Sequence, residues 1–164
     1  MSAEGAAVAA AEGSAPQALT GARFRLACQK LGGEAVLGVA VRSEVDFVTV
    51  VERGVPLGAL AALSREEALS LDEIDRLIIP RRTLAHRKAR QQPLSRAESE
   101  RAVRVASLTA LAEETFGNRA KAQTWLRRST SALGDRRPLD LLDSEPGARV
   151  VEQLLYRITH GIAA

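Results

Sequence analysis

Apolar residues recur along most of this chain at intervals of three and four, which is the spacing of an amphipathic helix. Glycine and proline separate the apolar stretches. The pattern predicts helices over 23–31, 44–53, from 57 onward, 71–78, 81–91, 95–116, 119–128, 138–142 and 145–160. Residues 34–53 are ambiguous, because dense β-branched runs also suit strands, and the capping signal at Ser43 favours the helix over 44–53. The predicted fold is therefore all-α.

Capping signals support several of these helix starts. In a capping box, a serine and an acidic residue three positions later satisfy the first free amides of a helix. Three such pairs occur: Ser43 with Asp46, Ser70 with Glu73, and Ser95 with Glu98. Asn118 and Ser144 are predicted to cap the two helices that follow them.

The C-terminal 27 residues, 138–164, predict a short helix, a turn and a longer helix. The longer helix carries a predicted apolar stripe, formed by Val150, Val151, Leu154, Leu155 and Ile158. Gly161 is a natural helix stop. The residues after it, Ile162, Ala163 and Ala164, are apolar and small, whereas a chain end is usually polar. Two interpretations stay open: this tail packs on its own domain, or it inserts into a pocket of a partner.

Composition limits the class of protein. The chain has 164 residues, enough for one domain or two small ones, and only 3% are aromatic, so an aliphatic core is expected. The single cysteine, Cys28, cannot form an internal disulfide and fits a reducing cytoplasm. It shares a face with apolar residues, which favours a buried structural role. We predict a cytoplasmic protein with no membrane segment, because no apolar run reaches the length of a bilayer span.

Residues 1–20 are rich in alanine, glycine and serine and show no periodicity. They lack the basic start of a signal peptide. We expect a disordered N-terminal arm.

Catalytic chemistry is not indicated. No glycine-rich phosphate loop has the required spacing. The two histidines, His86 and His160, lie in separate contexts and form no Ser/His/acid arrangement, and with Cys28 they make no metal-ligand pattern. We therefore expect no enzyme activity, no metal and no cofactor.

Positive charge is concentrated in the centre of the chain. Residues 76–104 carry nine basic and two acidic residues. The helices predicted over 71–78 and 81–91 flank a turn at Ile79-Pro80, which is helix-turn-helix geometry. The candidate DNA-binding residues lie on the second helix: Arg81, Arg82, Thr83, His86, Arg87, Lys88 and Arg90. Arginine can bind guanine edges and phosphates. The same helix is also explained by a solvated basic face, or by one that binds an acidic protein.

Between Trp125 and Gly161 a specific series of motifs occurs. It reads W-L, A-L-G, P-L-D-L-L and then G-A-R-x-V-E-x-L-L-x-R-I-x-H-G. This series resembles the toxin-binding domain of Xre/MbcA/ParS-type antitoxins, the partners of RES-domain toxins. The resemblance covers roughly residues 105–164.

The central part is similar to the Xre-like half of the same antitoxins. The matching residues are Gly54 to Pro56, Arg82 to Leu84, Arg87-Lys88, Leu94-Ser95, Glu98-Ser99 and Arg101. One departure is the segment Leu77-Ile-Ile-Pro80, which has no glycine before the turn. The resemblance implies an Xre-like helix-turn-helix and dimerisation domain over 21–104, followed by a small helical toxin-binding domain over 105–164.

The resemblance also implies partners. A RES-domain toxin consumes NAD by phosphorolysis, hydrolysis or ADP-ribosyl transfer, and the C-terminal end of the antitoxin enters its NAD pocket. The implied toxin-binding residues are Trp125, Arg149, Glu152, Tyr156, Arg157, His160, Gly161, Ile162, Ala163 and Ala164. Trp125 also suits a core position. Antitoxins of this type commonly repress their own promoter, so promoter DNA and a homodimer within a hetero-oligomer with the toxin are expected.

Two alternatives remain open from the sequence. One is a helix-turn-helix regulator that uses its C-terminal domain only for dimerisation. The other is a helical adaptor without a DNA role.

Overall fold

The computed structural model describes residues 15–65 and 68–161, and it describes side chains from residue 21 onward. These residues form nine α-helices, two short 3-10 segments and a single antiparallel bridge between Thr130 and Arg136, with no strand among them. The helices are α1 (Ala15–Lys30), α2 (Gly33–Leu37), α3 (Glu44–Arg53), α4 (Gly58–Arg65), α5 (Leu71–Leu77), α6 (Arg81–Ala89), α7 (Arg96–Phe116), α8 (Arg119–Arg127) and α9 (Glu145–Thr159). The 3-10 segments are Ser131–Leu133 and Pro138–Asp143. The all-α prediction is confirmed.

The predicted local signals account for most helix starts. All three capping boxes form, at the N-termini of α3, α5 and α7. Asn118 accepts a hydrogen bond from the backbone N–H of Lys121 at 2.9 Å, and Ser144 accepts one from Gly147 at 3.2 Å. These hydrogen bonds satisfy amides that have no partner within the helix.

Helix α1 begins earlier than predicted. It starts at Ala15, so the expectation of a disordered arm is wrong for residues 15–20, whereas residues 1–14 lie outside the described residues. Pro16 is compatible with a first helical turn, where its missing N–H has no intrahelical role. The ambiguous stretch 34–53 contains most of the five-residue helix α2, a link without regular structure over 38–43, and helix α3, with no strand among these residues.

Two glycines of the motifs are required by close backbone contacts. Gly54 has a φ of +84°, and a Cβ at this position would lie 2.7 Å from the carbonyl oxygen of Leu94. A Cβ on Gly147 would collide with the carbonyl oxygen of Leu141. Gly54 thus lets the turn before α4 approach the segment before α7, and Gly147 lets α9 start directly against the second 3-10 segment.

Helix α7 is the central element of the core. Its side chains at Val105, Ala106 and Ala110 are fully buried, and α1, α3, α8 and α9 all pack against it. The predicted domain boundary at residues 104 and 105 falls inside this helix. The two parts of the chain therefore share one helix and one continuous cluster of buried side chains.

Charged pairs also connect the two parts. Arg127 of α8 forms two hydrogen bonds with Glu73 of α5, both of 2.8 Å, and Asp140 lies 2.7 Å from the guanidinium of Arg76. Burial alone would raise the pKa of Glu73, but the hydrogen bonds from Arg127 and from the Ser70 amide outweigh it and hold the pKa below its usual value. The first helix of the predicted helix-turn-helix is thus fixed to the C-terminal part.

A buried pair fixes α1 to α7. Lys30, which is 3% exposed, donates to Glu113 at 2.6 Å. The nearby thiol of Cys28 is also buried, and burial raises its pKa. This environment suits a small structural residue.

Across the described ranges, no helix is both long enough and apolar enough to cross a bilayer. In the same ranges, no group of histidine, cysteine, aspartate or glutamate side chains is arranged to hold a metal ion.

Candidate functional site

The turn between α5 and α6 is stabilised by buried isoleucines rather than by a glycine. Ile78 and Ile79 are 1% and 0% exposed, and the φ of Ile78 is −119°. No left-handed residue is needed at this position, so a β-branched side chain is tolerated. The Nε–H of Arg101 donates to the carbonyl oxygen of Ile78 at 2.9 Å. Although this segment lacks the expected glycine, it still joins the two helices by a tight turn.

Two aspartates of α5 hold the N-terminus of α6. Pro80 precedes this helix and provides no side-chain cap. Instead, the backbone N–H of Arg81 donates to the carboxylate of Asp75, while the guanidinium of Arg81 pairs with Asp72. A carboxylate at a helix N-terminus also interacts favourably with the helix dipole. Arg81, a predicted DNA-binding residue, is therefore engaged within the protein.

Arg87 attaches the C-terminal half of α6 to α7. Its Nε lies 2.7 Å from one carboxylate oxygen of Glu98, and a second guanidinium nitrogen donates to the other oxygen at 3.2 Å. It also donates to the carbonyl oxygen of Pro93 at 3.3 Å. Burial alone would raise the pKa of Glu98, but the Ser95 amide and Arg87 outweigh it and lower the pKa. The geometry thus gives Arg87 an internal role in positioning α6.

The outward face of α6 carries arginine and histidine side chains without partners among the described residues. Arg82, His86 and Arg90 recur at intervals of four and are exposed. Among the described residues, no side-chain hydrogen bond or ion pair involves Arg82, Arg90 or the likewise exposed Lys88. The remaining predicted residue, Thr83, is half-buried beside Leu84, which packs against the core. The arrangement leaves a compact cationic surface that can reach phosphates and base edges.

Helix α9 divides into a buried side and an exposed ridge. The buried residues are Ala148, Val151, Leu154 and Leu155, with Ile158 half-buried. The prediction that Val150 belongs to the apolar stripe is wrong, because its side chain is 46% exposed. At about 100° per residue, Val150 lies about 100° from Val151 and about 140° from Leu155 around the helix, so it falls at the edge of the buried stripe.

The exposed ridge follows the residues at positions 149, 152, 156 and 160. Arg149 pairs with Glu145 at 2.9 Å, and Nδ1 of His160 lies 2.7 Å from the carbonyl oxygen of Tyr156. The rings of Tyr156 and His160 are 6.4 Å apart. The structure thus brings four predicted toxin-binding residues onto one surface.

Arg23 of α1 connects to this ridge. The same guanidinium nitrogen lies 3.2 Å from the carboxylate of Glu152 and 3.3 Å from the hydroxyl of Tyr156. Sequence reasoning missed Arg23, because 129 positions separate it from Glu152 and no local motif connects them.

The other predicted toxin-binding residues are placed differently. Trp125 is half-buried, and its ring lies 5.5 Å from that of Phe116 at the edge of the core. Arg157 is exposed beside the ridge. Gly161, with a φ of +64°, follows the end of α9. Ile162, Ala163 and Ala164 lie outside the described residues.

Comparisons with known proteins also divide the chain into a helix-turn-helix part and a C-terminal part. The family model for the Antitoxin Xre-like helix-turn-helix domain matches residues 46–107, and that for the Antitoxin Xre/MbcA/ParS C-terminal toxin-binding domain matches residues 111–161. Neither match includes α1.

Individual proteins similar to this chain are also named as antitoxins. A protein named Antitoxin Xre from Pseudomonas putida is 35% identical over 119 residues, covering 73% of this chain and 74% of the relative. A protein named Prs ADP-ribosylating antitoxin from a Sphingobium species is 33% identical over 135 residues, covering 74% and 83%. An Antitoxin Xre from Yersinia enterocolitica is 36% identical over 85 residues, covering 51% and 57%.

Proposed function

The chain belongs to the Xre/MbcA/ParS family of antitoxins, and on that premise we propose that it neutralises a RES-domain, NAD-consuming toxin and represses its own operon. At the coarser level, it is an antitoxin of a toxin–antitoxin system with a helix-turn-helix domain. The relatives are named as antitoxins, which confirms the expectation that the chain is not an enzyme.

The observation that carries the toxin proposal is the exposed ridge of α9. Family membership gives the C-terminal part a toxin-binding role, and this ridge is its exposed mixed polar and aromatic surface. A tyrosine adds contact area at a small cost in conformational entropy, and arginine is enriched at protein interfaces. The ridge runs to the end of α9 at Gly161, so a partner bound on it lies next to this end of the helix.

The chemistry of the C-terminal end suits an NAD pocket. Such a pocket accommodates anionic phosphates and planar rings, and Arg157, His160 and Tyr156 offer a cation, an imidazole and an aromatic ring. The name of the Sphingobium relative, Prs ADP-ribosylating antitoxin, refers to ADP-ribosylation, a reaction that consumes NAD. Both points support the proposal that residues 160–164 block the NAD pocket.

The DNA proposal rests on the outward face of α6. Arg82, His86 and Lys88 are exposed on the second helix of the helix-turn-helix, and Arg90 directly follows it. In this motif the second helix enters the major groove. A homodimer presents two such helices to a two-fold operator. The promoter of its own operon is the proposed target.

Co-expression tests the toxin proposal. The full chain is expressed with a RES-domain toxin, taken from the reading frame beside its gene if that frame encodes one, and growth and cellular NAD are measured. The full chain is expected to restore both. A chain lacking residues 160–164 is expected to give weaker protection, while Arg82→Ala, the matched control on α6, protects fully.

The results separate the alternatives. Full protection by the truncated chain contradicts pocket blocking by the tail. No interaction between the full chain and the toxin contradicts the RES assignment and leaves DNA regulation as the leading function.

A further inference from the structure

A groove of about 520 Å³ lies between α1, α3, α7 and α9. It is bounded by elements from the helix-turn-helix part, from the toxin-binding part and from α1, which lies outside both family matches. It is distinct from the outward face of α6.

The floor of the groove is apolar. Phe24 of α1 and Phe47 of α3 meet edge to face with ring centroids 6.0 Å apart, and both are buried. Val48 and Val103 also line the groove, and Val48 is 50% exposed. A groove lined by a buried aromatic pair and an exposed valine offers a partner a place to bury apolar surface.

The rim of the groove is charged but internally neutralised. Its ion pairs are Arg23–Glu152 at 3.2 Å, Arg96–Glu100 at 3.3 Å and Arg149–Glu145 at 2.9 Å. The two other charged residues that line the groove, Glu44 and Arg104, are opposite in sign, so the lining has no net charge. A surface without net charge does not attract DNA or another polyanion. An apolar centre surrounded by polar pairs is instead the anatomy of a protein–protein interface.

The groove is continuous with the ridge of α9. Arg149 and Glu152 line the groove and also belong to the ridge. Arg23 extends this connection, because its guanidinium reaches both Glu152 and Tyr156. A partner seated on the ridge therefore lies directly beside the groove.

We propose that the groove is a second part of the toxin-binding surface. It receives an element of the toxin with an apolar, uncharged face, such as one side of an amphipathic helix. This inference rests on the proposed function. It extends the toxin contact from α9 onto α3 and α1, so the toxin touches the helix-turn-helix part as well.

A pair of valines on α3 provides a matched test. Val48 lines the groove, whereas Val45, one turn earlier and 71% exposed, does not. The affinity of the full chain for the RES-domain toxin is measured by calorimetry for Val48→Arg and Val45→Arg. Because a charged side chain in an apolar contact is poorly accommodated, Val48→Arg is expected to weaken binding by about tenfold or more, and Val45→Arg by less than about twofold. Both positions are exposed, so thermal unfolding should be similar. Val48→Ala, which adds no charge, should give a smaller loss in the same direction.

Each outcome decides the inference. Equal toxin affinity for the two arginine variants overturns it; if the truncation of residues 160–164 then still weakens protection, the proposed function stands. A change in the oligomeric state of the free Val48→Arg protein with unchanged toxin affinity also overturns it, and assigns the groove to a contact between copies of this chain. If the unsubstituted chain does not bind the toxin, the proposed function fails first.

Discussion

Helices α6 and α9 carry the two candidate surfaces, yet they are attached to the protein in different ways. Helix α6 buries no residue fully, and only Leu84 packs against the core. Carboxylates hold it at both ends, with Asp72 and Asp75 at its start and Glu98 near its end. Helix α9, in contrast, is fixed by a stripe of buried aliphatic residues.

The difference shows how each surface remains free for a partner. An arginine-rich helix has few apolar side chains to bury, so ion pairs from neighbouring helices position it. An amphipathic helix can bury one side and leave the opposite side polar and exposed. The attachment of α6 should therefore depend on pH and on the charges of the carboxylates that hold it. The attachment of α9 should instead depend on the volume of its buried side chains.

The largest expected effect is on the buried side of α9. Leu155 is fully buried, so Leu155→Ala leaves a cavity and should lower the free energy of unfolding by about 2–5 kcal/mol. Val150→Ala, on the exposed side of the same helix, should change it little. Urea denaturation measures both. Similar losses for the two variants contradict this assignment of the helix faces.

The next largest effect concerns the connection between the two parts. Arg127→Ala removes both hydrogen bonds to Glu73 and leaves this carboxylate without its cation. We expect a loss of about 1–3 kcal/mol in urea denaturation. Arg128→Ala, the exposed neighbour, is the control and should be nearly neutral. A neutral Arg127→Ala means that the ion pair does not stabilise the connection.

A smaller effect is expected from pH at α6. The folded-state pKa of Glu98 is lowered, so its stabilising contribution is present above the unfolded value of about 4.5 and is lost as the pH falls through the folded pKa. Glu98→Gln should therefore be less stable than the unsubstituted protein at neutral pH, by about 1 kcal/mol, and the difference should vanish in acid. Val151→Ala on α9 should give a pH-independent loss. Denaturation at several pH values checks this; a constant difference for Glu98→Gln contradicts it.

The smallest effect on stability, with a clear effect on binding, is expected at Arg82. Arg82→Ala removes an exposed cation, so it should leave the unfolding free energy unchanged. It should weaken binding to the promoter fragment and reduce the slope of log affinity against log salt by about one. Arg149→Ala on α9 is the charge-matched control and should not affect DNA binding. Equal losses for the two variants argue for non-specific attraction by net charge.

Local signals made much of the fold predictable. The capping boxes at Ser43, Ser70 and Ser95 depend on residues three positions apart, and the predicted bounds of α3 agree with the structure. Glycines at helix ends, such as Gly54 and Gly117, also marked where helices stop. The resemblance to the antitoxin family likewise rests on short local motifs, which can be read directly from the sequence.

Tertiary contacts were not predictable in this way. The partners of Arg87 and Arg23 come from other helices. The charge of Arg87 therefore suggested a free DNA-binding side chain, and Arg23 was assigned no role. The exposure of Val150 depends on which side of α9 meets α7. The start of α1 at Ala15 was hidden by a composition that resembles a disordered segment.

The central claim is that the exposed face of α9, and not α6, neutralises the toxin. The most direct measurement is NAD consumption by the purified RES-domain toxin, titrated with the full chain, with Tyr156→Ala and with Arg82→Ala. We predict that Tyr156→Ala requires about tenfold more protein for half-inhibition, because Tyr156 is the large aromatic residue of the ridge, while Arg82→Ala inhibits like the full chain. Unchanged inhibition by Tyr156→Ala, or weaker inhibition by Arg82→Ala, contradicts the claim.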